Sequence, residues 1–199
     1  RAFFNIVIYI TVDSGHHTFL TFRQLVLRNS DDKNLLKGKR VSISNDDGAY
    51  ITGHTINAGP YSVAAEWGSH LGVDGHIGGG DHQGWHGGNS NKLSYRVDLG
   101  DAGANLGEDE THISDLKDII IFNRYNANLD HRLDHATVRL HDSNMNIIKE
   151  YGLPTFNNEY GVTITLSNDN ITKFTSASPN DRLGGYTSAN FSDGSLTLS

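Results

Sequence analysis

Cysteine is absent from all 199 residues. No disulfide can staple the fold, so its stability rests on packing or on a bound metal, and redox chemistry points to no compartment. No run of about 20 apolar residues occurs, which excludes a membrane-spanning helix. Clustered positive charge is missing too. The 16 basic residues are scattered and outnumbered by 23 acidic ones, for a formal charge of −7. Phosphate recognition needs grouped Lys and Arg, so no nucleic-acid partner is expected. Proline is scarce at 3 residues while glycine reaches 22. With 36% apolar and 20% charged residues, this is a globular chain with many turns and not a disordered one.

The length suits one domain, or one domain with an extension, and is enough to bury a core. Arg1 in place of Met reads as a processed product or an excerpt of something longer. Phe3 to Val12 is apolar but short, with no charged leader and no cleavage-site pattern, so it reads as a strand and not as a signal peptide.

What the chain does have is short β-rich segments closed by polar turns. Phe3 to Ile10 is the first. Leu20 to Leu27 alternates and closes at Arg28-Asn29-Ser30-Asp31-Asp32, and Val41 to Ser44 closes at Asn45-Asp46-Asp47-Gly48. Further strands are expected over 93–99, 116–123, 136–141, 146–151 and 160–166, with one more short strand over Ser195 to Leu198. No amphipathic helix longer than about three turns stands out, and no fixed repeat occurs. Many short strands between turn signals predict an all-β, antiparallel β-sandwich or barrel. Residues 66–92 break the pattern. Glycines there punctuate a stretch holding Trp67, His70, Asp74, His76, Asp81, His82, Trp85 and His86, and irregular segments of that length are usually functional or mobile.

Several phrases, taken in order, resemble the discoidin-like, or coagulation-factor C-terminal type, domains. These are galactose-binding-like β-sandwiches related to the fucose-binding lectins. Leu20 to Leu27 is similar to the family strand Leu-x-Leu-x-Glu-Val-x-Val, and Asn34 to Lys39 to the segment that follows it. Val73-Asp74-Gly75-His76 is similar to Val-Asp-Gly-Asn, and Val97-Asp98-Leu99-Gly100 to the end of the family's middle strand. Ile113, Ile119, Ile121, Asn123 and Arg124 match the next strand. Arg132, Leu133, Ala136, Val138, Leu140 and Asp142 match the one after. The resemblance covers residues 18–166 and implies a galactose-binding-like jelly roll. The sandwich is expected over 1–166, with 167–199 a polar extension holding at most a short strand or leading into a further segment. On the residues alone, Asn123 can close a turn, and Arg124 can pair with Asp130 or Asp134.

Four chemistries are candidates. The resemblance implies a Ca²⁺ site at Asp74 and Gly75 with a carboxylate from the Leu-x-Leu-x-Glu strand. Here that carboxylate is Gln24, and His76 replaces the usual Asn. A hard cation wants oxygen ligands, so Ca²⁺ is the candidate cofactor with one carboxylate fewer. A transition-metal set could draw on His76, Asp81, His82 and His86, or on His131 and His135. The segment around His82 is too glycine-rich for helical spacing to carry meaning, and solvated loop histidines are the competing reading. A sugar site needs an aromatic face for the ring and planar groups for its hydroxyls. Trp67 and Trp85 could supply the first, with Asp81, His82, His86, Asn89 and Asn91 supplying the second. The competing reading is a Trp packed as core. No match exists to the His and two Arg of the fucose-binding relatives. Catalysis is not expected: no Gly-x-Ser-x-Gly or His-Glu-x-x-His occurs, and the carboxylates at Asp46-Asp47 and Glu108-Asp109-Glu110 read as solvated.

Fold does not dictate function. The reading that follows is a non-catalytic, lectin-like module, extracellular or surface-displayed, with a glycan as partner. The alternative is a structural interaction module contacting neighbouring subunits in a large assembly, such as a virus capsid or surface fibre.

Overall fold

Valine, isoleucine, leucine and aromatic side chains at every second position need a pleated, half-buried surface, and the described residues form twelve strands. The computed structural model describes residues 7–13, 20–37, 39–44, 50–53, 69–73, 85–86, 92–99, 113–123, 130–142, 144–157 and 159–174. Among them there is no α-helix, only 3₁₀ turns at Ser69–Gly72, Ile113–Asp115 and Asp130–Leu133.

The strands are β1 (Val7–Asp13), β2 (Thr21–Phe22), β3 (Gln24–Asn29), β4 (Arg40–Ser44), β5 (Tyr50–Gly53), β6 (Trp85–His86), β7 (Lys92–Asp98), β8 (Leu116–Phe122), β9 (Thr137–His141), β10 (Ile147–Gly152), β11 (Gly161–Thr165) and β12 (Asn170–Phe174). One six-stranded sheet runs in the order β10-β9-β1-β7-β4-β5, one four-stranded sheet runs β12-β11-β8-β3, and β2 and β6 form a small ribbon. Every pairing is antiparallel. The all-β expectation therefore holds.

Both large sheets feed one core. From the six-stranded sheet come Val41, Ile43, Tyr95, Val97, Val138 and Leu140; from the four-stranded sheet come Leu25, Leu27, Ile119, Ile121, Val162 and Ile164. Alternation puts the intervening residues on the other face of β3 and β8. There Val26, Ile120 and Phe122 are also fully buried, outside that core cluster. The same face carries Gln24 opposite Phe122 and Arg28 opposite Asp118. A Cβ on Gly161 would run into the Ile121 carbonyl and come within 2.5 Å of the Phe174 ring, so only glycine fits at that position.

The turn cluster at Arg28–Asp32 closes a strand, while Asn45–Gly48 lies outside the described residues. Asn29 Oδ1 accepts from the backbone N–H groups of Asp31 (3.0 Å) and Lys33 (2.9 Å). Asp142 Oδ1 does the same for Asn144 and Asn146, both at 2.9 Å. Side chains that hold their own turns let Asp32, Met145 and Asp169 sit in the left-handed region, with φ of 62°, 65° and 58°.

Two expectations change. The sheet does not end at Leu166: β12 pairs with β11 from Thr165↔Asn170 to Gly161↔Phe174. Residues through Phe174 thus belong to the four-stranded sheet, because Ile171 still packs on the core. The stretch 66–92 is also not irregular throughout, since Trp85–His86 pairs with Thr21–Phe22. Residues 3–6 of the first expected strand, and Ser195 to Leu198, lie outside the described residues.

Candidate functional site

At one end of the sheets the β2–β6 ribbon aligns Phe22 with Trp85 and Thr21 with His86. Phe22, Trp85 and Tyr95 then form a three-ring cluster. Centroid separations are 5.6 Å for Phe22–Trp85, 4.8 Å for Trp85–Tyr95 and 4.8 Å for Phe22–Tyr95, the last edge-on at 84°. These are favourable aromatic geometries. Trp85 is 4% exposed, so the expectation of an open stacking face at position 85 is corrected: the indole is a core side chain. The physical reason is strand alternation, which turns Phe22 and Trp85 together toward Tyr95.

The 3₁₀ turn Ser69–Gly72 lies against this cluster. A Cβ on Gly72 would be 2.5 Å from the Tyr95 hydroxyl and 3.0 Å from the Phe22 ring, so the close approach requires glycine. Gln24 ties the same turn to β3. It is fully buried, and its Nε2 donates to the carbonyls of Leu71 (3.0 Å) and Arg23 (3.2 Å). Thr21, Arg23 and Asn123 are buried polar neighbours in sequence or across the strands. The backbone continues the framework here, with Arg23 N–H donating to Phe122 O and Asn123 N–H to Tyr160 O, both at 2.7 Å.

This geometry bears on the metal expectation. Gln24 brings a neutral amide, not a carboxylate, and its nitrogen is committed to backbone carbonyls. An amide offers at most one oxygen, against the roughly six to eight that Ca²⁺ takes. The described residues therefore do not by themselves fit Ca²⁺. Among them no group of three or more His, Asp or Glu side chains is arranged to hold a metal ion. Asp74 and Gly75 lie outside the described residues, as do His76, Trp67, Asp81, His82, Asn89, Asn91 and Arg124. His86 is described in its backbone only.

Asp134, a candidate partner of Arg124, accepts the Phe156 N–H at 2.7 Å and so closes a loop. His131 and His135 are both exposed, and His135 has φ 56°.

A second polar cluster joins the two sheets. Lys149 Nζ at 2.7 Å and the Tyr151 hydroxyl at 2.6 Å, both on β10, donate to Asp169 Oδ1 in the β11–β12 turn. Lys149, and after it Tyr151, hold the Asp169 carboxyl below the usual carboxylate range. Burial, reinforced by Asp169, pushes the Tyr151 hydroxyl above its ordinary value. Both shifts favour the pairing seen, with a neutral phenol donating to a carboxylate.

Phe22 and Tyr95 do not stand out in the sequence as parts of this end. Their signal was present as period-2 alternation, Leu20/Phe22 and Tyr95/Val97, but nothing local said that Trp85 would join them. No protein-family model matches this chain, and neither does any curated protein or any solved structure.

Proposed function

We propose that the chain is a non-catalytic carbohydrate-binding module, built as a discoidin-like, galactose-binding-like β-sandwich and displayed outside the cell. The observation that carries this reading is the pinning of β6. Trp85 is clamped between Phe22 and Tyr95 at one end of the shared core. That fixes one point of the glycine-rich stretch to the framework. Asp81 and His82 precede the clamp in sequence and Asn89 follows it. In this reading Trp85 is the floor of the site, Trp67 supplies the ring-stacking face, and Asp81, His82 and Asn89 supply hydrogen bonds to hydroxyls.

The alternative, an interaction module of a capsid or surface fibre, has its own support. Met145 and Ile147 are 38% and 53% exposed at the β9–β10 turn and on the edge strand β10. Apolar side chains on an open edge favour lateral contacts.

A glycan array with and without Ca²⁺ separates the readings. Binding that is lost in Trp67→Ala and His82→Ala, with an unchanged thermal midpoint, is the expected result. A flat array in both conditions, together with self-association abolished by Ile147→Lys in sedimentation velocity, would replace the first reading with the second.

A further inference from the structure

Asn170-Ile171-Thr172 has the form Asn-x-Thr, with an x that is not proline. Such triplets are common by chance, and position decides whether one is usable. This one opens β12, the outermost strand of the four-stranded sheet, directly after the turn that ends at Asp169. Alternation turns Ile171 toward the core and leaves Asn170 and Thr172 on the opposite face, both exposed. Asn170 Nδ2 donates to Thr172 Oγ1 at 3.3 Å, so the amide and the hydroxyl of the triplet already meet. The Asn170 backbone N–H is held by Asn168 Oδ1 at 3.0 Å, which sets the strand's first residue.

From this we propose that Asn170 is an acceptor for an N-linked oligosaccharide. The proposal rests on the surface-display reading, since the co-reactant is a lipid-pyrophosphate-linked oligosaccharide met on a secretory route. Nδ2 forms a bond to the anomeric carbon of the donor. The bond from that carbon to the pyrophosphate oxygen breaks, and the lipid pyrophosphate leaves with the electron pair. One Nδ2 proton passes to a base of the transferase, and nothing is oxidised or reduced. A glycan placed there points away from the core. It also screens the outer side of β12, which among the described residues pairs with β11 alone; a strand edge of that kind invites pairing with another chain.

The test routes the full chain through a eukaryotic secretory pathway behind a secretion leader, in an Asn190→Gln background. That background removes a second triplet, Asn190-Phe191-Ser192, which lies outside the described residues. Peptide mapping after enzymatic deglycosylation is expected to find Asn170 converted to Asp. Asn170→Gln and Thr172→Ala lose the modification, Thr172→Ser keeps it, and the far-UV spectrum and thermal midpoint stay unchanged. For a chain retained in the lumen, translation with microsomes gives the same readout. Unmodified Asn170 in either setting overturns the proposal. Because the route is imposed, that failure is distinct from a flat glycan array, which would count against ring binding instead.

Discussion

Arg28 and Asp118 face each other across β3 and β8 and form a two-point ion pair, Nε to Oδ1 at 2.7 Å and Nη2 to Oδ2 at 2.5 Å, with both side chains almost wholly buried. Arg28 Nη1 also reaches Asp32 at 3.3 Å, and Lys117 meets the same Asp32 oxygen at 2.5 Å. The charges thus run from the sheet interior out to solvent.

Asp118→Asn takes the buried two-point carboxylate from Arg28 and leaves its longer contact to the exposed side chain of Asp32. Asp118→Asn should destabilise the fold by about 3–5 kcal/mol, whereas replacing both residues with well-packed apolar side chains should be close to neutral. Urea unfolding of the Asp118→Asn and Arg28→Met/Asp118→Leu variants checks the asymmetry. Equal losses in the two would refute it.

Trp85 should behave as core in spectroscopy as well as in stability. In a Trp67→Phe background its emission should be blue-shifted and resist iodide quenching. Trp85→Ala should cost about 3–5 kcal/mol by leaving a cavity beside Phe22 and Tyr95. A readily quenched indole would contradict the clamp, and lost glycan binding in Trp85→Ala reports unfolding unless the thermal midpoint is unchanged.

Acid should weaken the fold in a defined window. Asp142 is held below the ordinary carboxyl value of 3.8 by the Asn146 backbone N–H first and the Asn146 side chain next. Asp32 is held low by the hydrogen bond from Lys117, and Asp169 by Lys149 and Tyr151. A folded carboxyl that titrates below its unfolded counterpart contributes fully above the unfolded value. That contribution is lost as pH falls through the folded one. Unfolding followed downward from neutral pH should therefore steepen below that ordinary value. Asp142→Asn keeps an acceptor for the turn and removes its share of the slope. Salt should shrink the share of Asp32, paired with exposed Lys117, and of Asp169, paired with half-buried Lys149, more than that of Asp142, held first by neutral amides.

Strands with one face on the shared core were legible because that face repeats at a period of two. Ile119 and Ile121, Val138 and Leu140, and Val162 and Ile164 announce β8, β9 and β11 directly. β12 was not, because Asn170, Thr172 and Lys173 face water and leave Ile171 as the only aliphatic residue of the strand. β6 was hidden for another reason: two residues flanked by glycines carry no period, and the rings that bury Trp85 belong to strands made elsewhere in the chain. Gln24 stands where the family resemblance expects a carboxylate. Its use, as a donor to Leu71, is set by a turn whose closeness to β3 no local pattern encodes.

The position of β1 has a kinetic consequence. It pairs with β7 on one side, from Val7↔Asp98 to Asp13↔Lys92, and with β9 on the other, from Val7↔His141 to Thr11↔Thr137. During synthesis β1 thus waits for partners made later in the chain, and until β7 arrives it stays apart from the β4–β5 pair. Such long-range closure makes for slow folding, on the order of milliseconds to seconds. Deleting β1 would not trim the molecule but split its larger sheet down the middle.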